Sequence, residues 1–557
     1  MQNNANRGRS AGPADAIVDD PDTTVAGVAT TAPDRDGEAG TAVAVPALAG
    51  SGFLRRGTGY RIRIRAANRA YQSLFPRHRD NGEHEEPYLA SYSKGLPHDE
   101  HGEVDLDAYA LWDRAMTDPS VAAFERVPRG LRDGRPQLNP LSAFGLDIEG
   151  PDSHGLVCPP APRMDSPEFA AELGEVYWMA LLRDVPFVEF DDAPALVRAA
   201  ADEMSSFSGY AGPKQGGRVT PRSLFRGTSR GDLVGPFLSQ FLLRDVRFGT
   251  HTIVQRQDTI EPVDYATDFG EWLAVQRGAA RGVERDYSTT RYIQTPRDLA
   301  HYVHFDQAYQ AYLNAALILL SSGIPNSELL DAGNPYRTTR GQTGFATFGG
   351  PHVLTLLAEV DTRALKANLY QQFVVHRRAR PEAFGGRIEV QLSRDPGRYD
   401  GLIHRELLES GALDRTRAKH GSYLLPQALG MGSPMSPEYP AGHLVVAGAC
   451  VTVLKAFFNE SCPLPNPVVP DRAGTALVPY TGSDADRLTI GGELNKLAAN
   501  IAAGRCMSGV HARPGTYQEG IRVGEQVAIG ILRDQQPTTH EKGTFSLTTF
   551  DGDRITI

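Results

Sequence analysis

Tyr439-Pro440-Ala441-Gly442-His443 leads straight into Leu444 to Leu454, the longest apolar run in the chain. A proline- and glycine-bearing loop that opens an apolar helix leaves the Gly442 and His443 amides at the positive end of that helix, where an anion can bind. Glycine beside the histidine permits close backbone approach. Two further segments carry matching chemistry. Arg380-Pro381 closes a helical pattern running from Val353 to about His376, since the residue before proline leaves the α region. Arg505 and His511, on the far side, would stand roughly 120° apart on an unbroken helix. Gly509 between them is expected to break it and let His511 turn back toward Arg505. Two guanidiniums and two imidazoles drawn from three segments would make an anion-binding, acid/base site.

The rest of the composition fits a large soluble protein. The chain has 557 residues, 41% hydrophobic and 22% charged, with a net charge of -10. That balance argues against a protein that coats nucleic acid or acidic membrane, which needs a concentrated basic face. No apolar run approaches the roughly 20 residues of a membrane span. No signal-type h-region follows Arg7 and Arg9, so a cytoplasmic location is expected. Cys158, Cys450, Cys462 and Cys506 lack metal-ligand spacing and read as buried thiols in a reducing compartment.

Residues 1–52 contain no aromatic residue and are expected to form a disordered tail, with one large helical domain over 53–557 and a pocket built mainly from 350–515. Asn81 to Asp105 is polar and turn-rich and reads as a surface excursion before a helix over Leu106 to Met116. Ser166-Pro167-Glu168 is a helix start. Asp192 would cap a second helix over Ala193 to Met204. Thr295-Pro296-Arg297-Asp298 has the form of a capping box opening a helix to Leu320. Gly323 to Pro351 could rim a site. Arg377 and Arg378 read as a solvated basic helix end. Helices are also expected over His443 to Phe458, Gly492 to Met507 and Ile521 to Leu532. Alternation around Asp551-Gly552 predicts a β-hairpin over Thr544 to Ile557. The class is mainly α, in helix bundles. Gly227-Thr228-Ser229-Arg230-Gly231 fits a nucleophile-elbow pattern but lacks the preceding apolar strand. His301 and His304 share a helix face without further ligands.

With these residues in view the chain resembles the vanadium-dependent haloperoxidases. The resemblance rests on Ser93 to Glu100, Leu224 to Thr228, Glu359 to Ala367, His376 to Gly386, Gly432-Ser433-Pro434, Pro440 to His443 and Gly492 to His511. It implies two helix bundles of the haloperoxidase and acid phosphatase type with a small C-terminal hairpin. It also implies a homodimer. In that family a lysine, an arginine, a Ser-Gly-His run and a second arginine hold the vanadate oxygens, and a final histidine bonds vanadium. Arg380, Gly442, His443, Arg505 and His511 occupy the matching positions, with His511 as the metal ligand if vanadate binds and His443 as the acid/base.

Two positions depart. The lysine expected seven residues before Arg380 is Phe373, and the serine before Gly442 is Ala441; Gly504 is a lesser departure. At roughly 1.5–3 kcal/mol for each lost charge-assisted bond, the two cost about a hundred- to ten-thousandfold in vanadate affinity. The pattern resembles one branch of the family, homologues in napyradiomycin-type meroterpenoid biosynthesis that catalyse an α-hydroxyketone rearrangement without vanadium. The expectation that follows is an isomerase with no required cofactor and only weak binding of vanadate or phosphate. It would act on a small prenylated aromatic substrate, with Phe373 and Ala441 lining the pocket, His443 as base, Arg380 and Arg505 steadying oxyanions, and His511 donating a proton. No nucleic-acid or membrane partner is expected. The alternatives are a haloperoxidase using vanadate, hydrogen peroxide and chloride or bromide, a catalytically silent binding homologue, and, more weakly, a phosphatase.

Overall fold

The computed structural model describes residues 52–73, 76–83, 88–282, 285–513 and 519–557. The expected tail, apart from Gly52, lies outside them. The chain divides into two units, Met1–Gly57 and Thr58–Ile557; the second is the one that carries the site. It is mainly helical, and its described strands form four separate two-stranded antiparallel pairs. The last pair, Ser546–Thr548 with Arg554–Thr556, is the expected C-terminal hairpin.

Two helix groups meet along one seam. Gly350–Leu369, Gly442–Phe457 and Glu519–Gln535 pack on one another, and Pro296–Phe305 packs on Ile490–Met507. Ile490–Met507 also lies against Gly442–Phe457, so the apolar helix opened by the Tyr439–His443 loop is buried between the groups. Its approach to Glu519–Gln535 is a backbone-to-backbone crossing: a Cβ on Gly448 would stand 1.9 Å from the Ile521 carbonyl oxygen, and one on Gly524 1.8 Å from that of Val445. Only glycine fits both crossing points. Gly524→Ala is therefore expected to force the helices apart and destabilise the protein by about 1–3 kcal/mol, read as a lowered denaturation midpoint.

The helix-start signals Ser166-Pro167 and Thr295-Pro296 form the expected local bonds. The Ser166 hydroxyl accepts from the Phe169 amide at the head of Pro167–Leu181, and Thr295 and Asp298 form the reciprocal capping box of Pro296–Phe305. Four expectations need correction. The helix Ala195–Ser206 starts after Pro194 without a side-chain cap, so Asp192 does not cap it. The segment after Thr295 is two helices, broken after Phe305 by an extended Asp306 and resumed as Gln310–Leu320.

Within Asn81 to Asp105, Tyr92, Lys94, Leu96 and His98 are buried rather than exposed. The Lys94 ammonium is ion-paired with Glu382 and donates to the Ser433 carbonyl at 2.8 Å, which offsets its desolvation. Arg378 is likewise buried, 3.2 Å from Glu172 and 3.5 Å from Glu438, while Arg377 pairs with Asp113. The basic helix end is thus a set of ion pairs, not a solvated face.

Candidate active site

Two chain reversals and the head of Gly442–Phe457 deliver the site. Gly350–Leu369 runs into a π-helical stretch, Tyr370–His376, and ends at Arg377, whose φ of 48° is left-handed. Arg380 then caps a new helix, Pro381–Glu389, and so stands at a start rather than beyond an end. Ile490–Met507 stops at Ser508, and Gly509 takes φ +85°, turning His511 inward as the spacing predicts.

The structure brings Arg380, Arg505, His443 and His511 together around the head of Gly442–Phe457. Arg380 is fixed on every nitrogen. Its Nε donates to the Ser436 carbonyl at 2.8 Å, Nη2 to the Ser436 hydroxyl at 2.9 Å, and Nη1 to the Val510 carbonyl at 3.1 Å. Nη1 also lies 2.7 Å from His511 Nε2. Arg505 donates to the Val303 carbonyl at 3.1 Å, and its Nε is buried without a hydrogen-bond partner. Burial pulls both guanidiniums down to about 10, which leaves them charged near neutral pH.

His511 is held well below the ordinary histidine range, first by burial and then by Arg380, Arg505 and His443. It is a neutral imidazole. Nδ1–H faces Glu438 Oε1 at 3.3 Å, and the Nε2 lone pair faces Arg380. A carboxylate behind one ring nitrogen, with the lone pair of the other turned into the cradle where Arg380 Nη1 donates to it, suits a metal-binding histidine. His443 is more open, 26% exposed, with Nε2 at 3.1 Å from Asp306 Oδ1. The Asp306 side chain is 3% exposed and lies in the field of Arg505.

Two residues singled out from the sequence stand differently. Phe373 is not in the site: its ring packs at 6.4 Å from both Tyr92 and Trp112 in a second apolar cluster. The π turn holds one residue more than an α turn and so shifts the inward face by one position. Gln372 takes that face, with Nε2 donating to the Pro440 carbonyl at 2.7 Å. Ala441 does sit at the helix head, fully buried, and offers no side-chain cap.

Of the further residues near the site, His304 was named from the sequence without a role and Asp361 only within the Glu359 to Ala367 run, while Asp306 and Asn368 were not singled out. Asp306 is marked only by the helix break. Asn368 lies one turn before Gln372, with its Nδ2 3.1 Å from where a Gly442 Cβ would be. His304, near Arg505 and His443, is pulled down to about 3 by burial first and those charges after. Asp361, on the same helix as Asn368, has an unpartnered buried Oδ1 and a pKa pushed up to about 6 by burial and then by Asp306. For an acid raised in the folded state, stability is lost as pH climbs from its unfolded value through the folded one. Asp361→Asn is therefore expected to stabilise the protein by about 2–3 kcal/mol at pH 8 and by nothing below about pH 4, measured as denaturation midpoints at the two pH values.

Chemically the cradle suits an oxyanion. It offers two buried guanidiniums, one with an unspent N–H, a helix N-terminus, and one imidazole lone pair able to bond a metal centre. Among the described residues, no group of three or more His, Cys, Asp or Glu could hold a bare metal cation. The donor set fits vanadate.

Comparison with known proteins agrees. No family model matches the chain. It is 36% identical to a vanadium-dependent bromoperoxidase of Corallina pilulifera over 567 residues, covering 87% of this chain and 94% of the relative. It is 37% identical to a vanadium-dependent bromoperoxidase of Ascophyllum nodosum over 501 residues, covering 86% and 88%. The fold matches the homohexameric structure of the second vanadate-dependent bromoperoxidase of Ascophyllum nodosum with a TM-score of 0.87, at 28% identity over 95% of this chain and 94% of that one.

These likenesses overturn the expectation of a vanadium-independent isomerase. Relatives matched over nearly their whole length are vanadium-dependent bromoperoxidases, and Phe373, on which that expectation leaned, lies outside the pocket. Among the described residues no helix is long and apolar enough to cross a membrane. In sequence over most of its length, and in fold, the chain belongs to the vanadium-dependent bromoperoxidase family, enzymes of the vanadium haloperoxidase type.

Proposed function

We propose that this chain oxidises halide, bromide foremost, with hydrogen peroxide, using vanadate held between His511, Arg380, Arg505 and the Gly442 end of Gly442–Phe457. The observation that carries this is the neutral His511, whose Nε2 lone pair is presented among two charged, buried guanidiniums. Bound vanadate supplies the Lewis-acidic centre that activates peroxide toward halide. The chain's own residues do the rest. Arg380 and Arg505 neutralise the oxyanion with donors already fixed in place, which costs no reorganisation at the moment of reaction. Glu438 fixes the His511 tautomer through Nδ1. Asp306 holds the His443 ring through Nε2 and leaves Nδ1 to take or return a proton.

The family relationship supports vanadate as a required cofactor in place of the expectation that none is needed. The homohexameric relative supports a larger assembly than the expected homodimer. The test is bromination of a phenolic reporter by metal-free protein titrated with orthovanadate. Turnover should appear only with vanadate, peroxide and bromide together and saturate at one vanadate per chain. Absence of turnover at saturating vanadate would refute the reading.

A further inference from the structure

Gln372 and Asn368 stand one helical turn apart on the face that meets the Pro440-Ala441-Gly442 run, both almost wholly buried. Gln372 Nε2 donates to the Pro440 carbonyl, and that bond settles which end of the amide is which, since a flipped amide would set oxygen against oxygen. Its Oε1 is then the spare atom. It is buried and has no hydrogen-bond partner, and neither has Oδ1 of Asn368, the residue whose Nδ2 approaches Gly442. Buried acceptors without donors are costly, and here two belong to side chains one helical turn apart that both face the head of Gly442–Phe457. They ask for a ligand that carries a donor.

Charge points the same way. Arg380 and Arg505 are the cations of the cradle, Glu438 and Asp306 lie against it, and Lys94 is spent on Glu382. Glu438 is shared with Arg378, 3.5 Å away, so that Asp306 offsets one of the two cradle cations and the remainder matches a monoanion. We propose that Gln372, with Asn368, accepts a hydrogen bond from a hydroxyl of the bound oxyanion, so that the site takes the protonated, monoanionic form of vanadate and discriminates against the dianion. This rests on the vanadate reading above and names the protonation state that the site selects. In this role Gln372 reads the ligand's proton, where a cation would only add charge.

The test is equilibrium dialysis of orthovanadate against the full chain, with vanadium analysis, across the mildly alkaline range in which vanadate passes from monoanion to dianion. His511 is neutral throughout that range and contributes no slope. The natural chain should lose about tenfold in affinity per pH unit above the transition, as one linked proton requires. Gln372→Met, similar in length but lacking the acceptor, should bind about five- to tenfold more weakly on the monoanion side and lose most of that slope. Gln372→Lys should bind the dianion more tightly than the natural chain does. An affinity that is level or rising through the transition in the natural chain, or a Met variant that binds like it at every pH, would overturn the proposal. No vanadium on any of the three chains at any pH would overturn the vanadate reading itself.

Discussion

His511→Ala is expected to reduce vanadate affinity by on the order of a thousandfold or more, equivalent to about 4 kcal/mol, and to abolish bromide turnover with it. Three effects add. The imidazole that would bond the metal centre is gone. Arg380 Nη1 loses the 2.7 Å acceptor that now holds it toward the site. Glu438, already raised by burial, loses the Nδ1–H facing it. The fold should survive, because Arg380 keeps its bonds to Ser436 and Val510. Glu438→Gln is the graded control. It leaves the imidazole but weakens its orientation, and a loss of about 10–100-fold is expected, the usual scale for a group acting behind a metal ligand. Vanadium content after dialysis, with turnover at saturating vanadate, separates the two variants.

The second large effect is on turnover without loss of the cofactor. His443→Ala should lower kcat by about 10²–10⁴-fold, the range for removing a positioned acid/base, and change vanadate affinity by less than tenfold. Asp306→Asn should follow it at a smaller magnitude. An amide at 3.1 Å from Nε2 can no longer favour the tautomer that leaves Nδ1 as the proton-exchanging atom, nor steady the charged ring. If both variants lost vanadate as completely as His511→Ala, the division of labour between the two histidines would be wrong.

The chemistry of the site could be read from sequence wherever it depends on a short run of residues. Arg380-Pro381, the Pro440–His443 loop and the Gly509 break each encode their own backbone turn, so the four charged or imidazole groups were visible. Residues whose role depends on tertiary partners were not. Asp306 sits between two apolar-periodic segments that read as one helix, and only the break at Phe305 exposes it. The π turn moved the inward face from Phe373 to Gln372, a one-residue change that counting back from Arg380 cannot register. Arg378 and Lys94 looked solvated because Glu172, Glu438 and Glu382 lie far away in sequence. The expected function rested on Phe373 and Ala441 as two lost oxyanion donors and on the branch they resemble; Ala441 does stand at the helix head, whereas Phe373 lies outside the pocket, and the relatives are vanadium-dependent bromoperoxidases.

The most direct measurement of the central claim is an anomalous-difference map from crystals of the natural chain soaked in orthovanadate. A single vanadium peak bonded to His511 Nε2, with oxygens facing Arg380, Arg505 and the Gly442 amide, is the expected result. Full occupancy at any other position, or no peak in crystals of protein that brominates the reporter, would contradict it.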